Sequence, residues 1–307
     1  ITGRWPCRYF SAYKLYGLKE KRNDEFSKID QFTSISDWVG YMFTGNIAYE
    51  PSQACETLLF DTKNSVWSGE LCDLYGISMN ILPQVLYSGE RLGNIKEEIA
   101  DQLGLKKRTA FIVGGADTQI ALKGMNALPG QIVVTSGTTT PITMITDNYI
   151  IDKKQRCWIN NYLDKNIFVI ETNVGVTGLN YQRLKKVFFP NVSYSEIESE
   201  MEYIKYPKCL CSLSTMEFEK NQSFNTGAFV ISTPADAALG PADFAYAVLL
   251  DIAFGIKSNI DVMEDISRNT AKEVIGCGGG FNGNVFPQLV ADILGKEVAL
   301  KENYNQS

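Results

Sequence analysis

FIVGGADTQIALKGM, residues 111–125, places an apolar run, two glycines and one carboxylate directly before a segment of helical periodicity. The pattern predicts a short buried strand at FIVGG, a bend, and a helix over TQIALKGMNAL. Asp117 then stands at the carboxyl end of a strand, where open α/β sheets keep their ligands. The same position suits a plain helix cap. The residues alone leave both readings open.

Outward from this stretch, strand-like and helical patterns alternate. Upstream, FSKIDQFTSISDWVGYMFTG (26–45) has apolar residues at helical spacing and stops at Gly45, so a helix with core aromatics and a glycine cap is expected. IAYEPSQACETLLFDTKNSVW (47–67) reads as a loop, a short apolar segment and a turn, and GNIKEEIADQLGL (93–105) as a helix. Downstream, PGQIVVTSGTTTPITMI (129–145) gives a strand, a glycine bend and a second strand. NIFVIETNV is strand-like, and TGLNYQRLKKVFF and SYSEIESEMEYI are helical. A long helix follows over 238–266, with Phe244, Val248, Ile252, Ile256, Ile260 and Met263 as its core stripe. The alternation predicts an α/β fold with a mixed or parallel sheet.

The chain has 307 residues, 45% of them hydrophobic. Single cores stop growing at roughly 250–300 residues, so two domains with a cleft between them are expected, divided at Pro129–Gly130. A net charge of −6 and a pI near 5.0 argue against a nucleic-acid surface; the densest basic stretch, KLYGLKEKRNDEFSK (14–28), is balanced by acids. Seven cysteines without a CxxC pair fit neither a zinc site nor a disulfide framework, which points to reduced thiols and a cytoplasmic protein. No apolar leader and no run near the roughly 18 residues of a membrane span is present, so no membrane partner is expected. The chain contains no histidine. That excludes Ser-His-Asp and Cys-His nucleophiles and HExxH hydrolysis, and leaves Asp, Glu, Lys, Tyr or Cys as the base of any enzyme.

Two glycine loops remain. EVIGCGGGFNGNVFPQLVADILGKEVALKE (273–302) has Gly278, Gly280 and Gly283 in GxGxxG spacing, after a strand and before a helix that Asn284 is placed to cap. Glu302, about 20 residues on, matches the acid of a dinucleotide fingerprint, but too little chain follows to complete that unit. The loop therefore reads as a close approach to part of a nucleotide through backbone N–H groups and the helix N-terminus, or as a tight turn alone. VVTSGTTTPI (133–142) surrounds Gly137 with Ser136, Thr138, Thr139 and Thr140, a bend suited to phosphate oxygens.

In order along the chain, ISDWVGYMFTG, EPSQACETLLFD, Trp67, GGADTQ, PGQIVVTSGTT, TNVGVTGLNYQRL and GGGFNGNVFPQLVADILGKEV together resemble the FGGY carbohydrate kinases, on their xylulokinase and autoinducer-2 kinase side. The resemblance implies two ribonuclease H-like, actin-like ATPase domains with a ligand cleft, the first incomplete: residues 1–129 as the carboxyl-terminal part of the sugar-binding domain and 130–307 as the nucleotide-binding domain. It implies ATP and Mg2+ as cofactors, a sugar or polyol substrate, and a homodimer as a possible assembly. Carried over, Asp117 is the catalytic base and an indirect metal neighbour, and Asp117 with Thr118 meets the sugar. Gly137 and Thr138 form the turn beside the phosphates, and Gly178 is a glycine reaching them. Gly279 and Gly280 belong to the adenosine loop, with Asn282, Gly283 and Asn284 beside the base.

The chain also departs from the family pattern. It shows no counterpart of the amino-terminal acid-glycine-hydroxyl phosphate loop and is expected to begin partway into the first domain, without much of the sugar pocket; it stops before the alanine-glycine helix expected after KENYNQS. Thr118 replaces the usual Asn or Gln, and Gly283 the usual serine. Two further readings stay open: a nucleotide- or sugar-binding module without turnover, and an NAD-binding oxidoreductase resting on the GxGxxG spacing.

Overall fold

The computed structural model describes residues 1–213 and 226–301. Glu302 lies outside the described residues. The chain divides into two compact units. The first comprises Ile1–Gly124, Thr146–Ile151 and Trp158–Val169; the second comprises Met125–Ile145, Asp152–Cys157 and Ile170–Ser307.

The first unit is built on short elements around aromatic side chains. Trp67 packs edge-on against Tyr49 and Phe60, with centroids 5.1 and 5.2 Å away, and its indole N–H donates to the Pro83 carbonyl at 2.7 Å. Two sequence expectations change here. The helix foreseen over 26–45 is confined to Ile35–Thr44, because Ser34 caps it by accepting from the Asp37 N–H; it ends, as expected, at Gly45 in the left-handed conformation. The aromatics of 26–45 are core only in part: Phe26 and Phe32 pack against a core cluster, and Phe43 is half-buried beside Phe111 with centroids 5.7 Å apart. Only Gly40 of that helix is buried, where it meets Leu92 and Phe111, while Trp38 is 50% and Tyr41 42% exposed.

The second change concerns the strand before Asp117. Ala110–Ile112 pairs antiparallel with Arg91–Asn94 in a two-stranded ribbon rather than in a larger sheet. Ile112 is half exposed for that reason, and Val113 beyond the strand is the residue that enters the core.

The sheet of the second unit runs in the order Glu297–Leu300, Glu273–Cys277, Ile132–Thr135, Thr139–Thr146, Phe168–Val176. Glu273–Cys277 is parallel to both its neighbours, with Cys277 beside Thr135. Ile132–Thr135 and Thr139–Thr146 form an antiparallel hairpin. The 136–138 and 278–280 loops therefore leave adjacent parallel strands at the same carboxyl edge, the edge at which open sheets bind ligands. The long helix, Pro241–Ser267, buries Val248, Ile252, Ile256, Ile260 and Met263 as its spacing predicts, and Phe244 stacks on Phe188 with centroids 5.0 Å apart. Among the described residues no helix is long and apolar enough to cross a membrane.

Candidate functional site

In the second unit three loops are laced together by their own backbone. The Ser136 N–H donates to the Cys277 carbonyl at 2.9 Å, and the Gly280 N–H to the Ser136 carbonyl at 3.0 Å. The Thr177 and Leu179 N–H groups reach the Thr138 carbonyl at 3.2 and 3.3 Å, and the Thr140 and Thr177 hydroxyls bond at 2.7 Å. This approach is close enough to need glycine. A methyl group at Gly178 would collide with the Gly137 carbonyl oxygen, and one at Gly280 with the Ser136 side chain. Gly278 has φ +88°, which strains any L side chain, and its Cβ would lie on the Ser136 backbone.

The laced loops enclose a cavity of about 550 Å³, within the range of roughly 300–1,000 Å³ usual for small-molecule sites. Gly137, Thr138, Gly178, Gly279, Gly280, Asn282 and Gly283, all singled out in the sequence, line it. Asn284 does not. Gly279 has open space where its Cβ would stand, and at Gly137 the nearest atom is 3.8 Å off. These two keep the chamber clear, whereas Gly178, Gly278 and Gly280 let its walls close together.

Sequence reasoning missed Glu198. It projects from the Tyr194–Met201 helix, and its Oε1 accepts the N–H groups of Asn284 and, at 2.8 Å, Val285. Glu198 therefore caps the Val285–Leu294 helix, and the Asn284 side chain makes no capping bond. This corrects two expectations: Asn284 is not the cap, and the first amides of that helix are already engaged by a carboxylate rather than open to phosphate. A methyl group at Gly283 would strike Glu198, so glycine in place of the family's serine accompanies a cap supplied from another helix. Tyr181 and Tyr194, stacked with centroids 6.1 Å apart, also line the cavity, with Phe286, Leu249 and Ile252 as apolar wall. Burial pushes the Tyr181 phenol up to about 12, so it stays a neutral hydrogen-bonding group.

Asp117 and Thr118 belong to the first unit. Asp117 is the first residue of the Asp117–Gly124 helix, and its exposed side chain accepts the Thr118 N–H at 2.6 Å through Oδ1. Among the described residues no cation pairs with it. The peptide before it is fixed from another segment: the Ala116 N–H donates to Ser52 Oγ at 2.8 Å. The sequence placed Ser52 in a loop and gave no sign of this contact.

The N-terminal domain profile of the FGGY family of carbohydrate kinases matches residues 1–124, and the C-terminal domain profile of the same family matches residues 220–307. The chain belongs to the FGGY family of carbohydrate kinases. Among its relatives, YoaC of Bacillus subtilis (strain 168), a provisionally named sugar kinase, is 43% identical over 100% of this chain and 63% of its own length. The xylulose kinase of Lactococcus lactis (strain IL1403) is 28% identical over 97% of this chain and 60% of its own. The crystal structure of ligand-bound xylulose kinase from Lactobacillus acidophilus superposes with a TM-score of 0.86 at 22% identity, covering 100% of this chain and 62% of that one. The fold is thus the actin-like ATPase fold of these kinases. The chain spans about three fifths of the length of the curated relatives it matches.

Proposed function

We infer that the chain is part of an ATP-dependent kinase that transfers the ATP γ-phosphate to a hydroxyl of a sugar or polyol, with Asp117 as the base. One observation carries the reading: seven sequence-selected residues of three separate loops line a single cavity of nucleotide-compatible size. The phosphates lie toward Gly137, Thr138 and Gly178, and the adenosine toward Gly279, Gly280, Asn282 and Gly283. The sugar-side domain runs to residue 129 and the nucleotide-side domain from 130 to 307. Relatives named xylulose kinase and autoinducer-2 kinase support a small polyhydroxylated acceptor.

Among the described residues the cavity lining contains no lysine or arginine and one carboxylate, Glu198, so hydroxyls, backbone N–H groups and a bound cation share the phosphate charge. Among the described residues no group of three or more His, Cys, Asp or Glu side chains is gathered for a metal. Mg2+, when bound, would be held mainly by phosphate oxygens and water, with a carboxylate nearby, and Asp117 is the residue proposed as that indirect neighbour. When bound, the ion neutralises the phosphate charge during transfer. Asp117, exposed at a helix start, orients the acceptor hydroxyl and takes its proton.

The test is ADP release from Mg-ATP across a panel of ketoses, aldoses, polyols and sugar acids, with Asp117→Asn beside the parent. Loss of a general base costs roughly 10²–10⁴-fold, so the variant is expected to lose at least a hundredfold in turnover while keeping its ATP affinity and melting temperature. Turnover retained in Asp117→Asn defeats the base assignment. Tight nucleotide binding with no transfer to any acceptor favours the binding-module reading.

A further inference from the structure

Beneath the turn that carries Asp117 lies a buried carboxyl, Glu50, which also caps the short Pro51–Ala54 helix. Glu50 is 1% exposed and Ser52 fully buried. The Ser52 hydroxyl donates to Glu50 Oε2, which also accepts the Gln53 N–H at 3.2 Å, and Ser52 Oγ accepts the Ala116 N–H at 2.8 Å. Glu50 is itself anchored: its N–H donates to Asp37 Oδ2 at 3.2 Å, and that oxygen accepts the Ser34 hydroxyl at 2.9 Å. A Cβ at Gly115 would stand 3.4 Å from Ser52 Oγ and 3.7 Å from the Glu50 carboxyl carbon, and would strike Leu163. The turn lies in van der Waals contact with the pair, and the Leu163 side chain fills the space that a Cβ at Gly115 would take.

The second Glu50 oxygen, Oε1, has no hydrogen-bond partner among the described residues. A buried carboxyl with an unmet oxygen is destabilising, and an apolar or amide side chain of similar size is commonly the more stable choice. Its physical effect is on Ser52. A serine hydroxyl has one proton and two lone pairs on a free rotor. An acceptor at Glu50 draws the proton to one side and turns a lone pair toward the Ala116 amide.

We propose that Glu50 and Ser52 are a positioning pair for the proposed base: Glu50 sets the Ser52 hydroxyl, Ser52 holds the Ala116 peptide, and the Asp117 carboxylate starts its helix from a fixed point. The role rests on the reading of Asp117 as the base; the hydrogen-bonded arrangement does not. Misplacing a reacting group by about 1 Å can cost roughly a hundredfold in rate, so the pair acts on kcat rather than on substrate affinity.

Two measurements test it. Amide exchange at Ala116, read by mass spectrometry from overlapping peptides of 111–125, is expected to quicken at least tenfold in Ser52→Ala and in Glu50→Ala, and to change less than threefold in Glu50→Gln, whose carbonyl still accepts from Ser52. In the protein in which Asp117→Asn has been measured, the two alanine variants are expected to lose at least tenfold in kcat with KM for ATP within twofold, and Glu50→Gln to restore most of it. Ser52→Cys, close in size and a poor acceptor, serves if Ser52→Ala does not fold. Unchanged Ala116 exchange in the serine and alanine variants overturns the pair. Faster exchange with kcat intact overturns its positioning role. A silent Asp117→Asn with faster Ala116 exchange leaves the pair standing as a brace for the turn and removes the base reading instead.

Discussion

The buried Glu50 carboxyl makes the stability of the first unit depend on pH in a direction opposite to that of most acids. Burial pushes this group from its ordinary 4.5 up to about 7, and the bonds from Ser52 and Gln53 only partly oppose the shift. One pH unit is worth about 1.4 kcal/mol, so keeping this carboxyl in place once ionised costs the folded protein about 3 kcal/mol. The folded state holds the proton more tightly than the unfolded state does. Its contribution is therefore whole below pH 4.5, falls as pH rises from 4.5 to about 7, and is gone above that. Glu50→Gln removes the charge and keeps the shape. Any packing offset from the amide is the same at every pH, so the difference between parent and variant isolates Glu50. The readout is convenient: the four tryptophans, Trp5, Trp38, Trp67 and Trp158, all lie in the first unit, and their fluorescence in urea reports on it. Parent and variant are expected to unfold at similar urea concentrations near pH 5, with the variant about 3 kcal/mol more stable at pH 8. A difference that stays flat from pH 5 to pH 8 refutes the reasoning, because it means Glu50 titrates alike in both states.

Three further outcomes are expected. Gly279→Val leaves the melting temperature nearly unchanged, because its Cβ enters open space, and weakens ATP binding at least tenfold; calorimetry showing unchanged affinity removes Gly279 from the nucleotide site. Gly178→Ala destabilises by roughly 1–3 kcal/mol, as overpacking does, since the Gly137 carbonyl occupies the space it needs; an unshifted melting curve contradicts that close approach. Glu198→Ala costs about 0.5–2 kcal/mol, the value of a lost helix cap, and Glu198→Gln costs less because its carbonyl still accepts from Asn284 and Val285; equal losses in the two variants argue that Glu198 does not act as the cap.

What could be read in the sequence was whatever depends on local order. The Pro241–Ser267 helix shows its buried stripe at helical spacing, and the hairpin around Gly137 is visible as two apolar runs about a bend. Failures came where a partner distant in the chain decides the outcome. FIVGG looks like an interior strand because it is apolar, yet among the described residues it pairs with Arg91–Asn94 alone, and a two-stranded ribbon leaves Ile112 open. ISDWVGYMFT looks like a core helix for the same reason, although it packs in the first unit through Gly40 and Phe43 while Trp38 and Tyr41 stay exposed. Glu50 and Glu198 were invisible for a related cause. Glu198 meets Val285 across a long stretch of chain, and Glu50, whose direct bonds are local, matters through the distant bond of Ser52 to Ala116; no spacing rule reaches that far.

The GxGxxG spacing leads to a cavity-lining loop by a partly mistaken cause. In a dinucleotide fingerprint the glycines serve a tight turn, the approach of the pyrophosphate, and helix packing. Here each of the three excludes a side chain because of the protein's own atoms. Gly278 is left-handed over the Ser136 backbone, Gly280 abuts the Ser136 side chain, and Gly283 faces the Glu198 carboxylate. The glycine with open space is Gly279, at a position the motif leaves variable. The motif thus marks how the 278–283 loop is fastened to the hairpin and to the capping helix, and in the proposed reading the approach to the nucleotide falls to the residue between. A substitution scan separates the two roles: changes at Gly278, Gly280 and Gly283 act on folding first, and a change at Gly279 on binding alone.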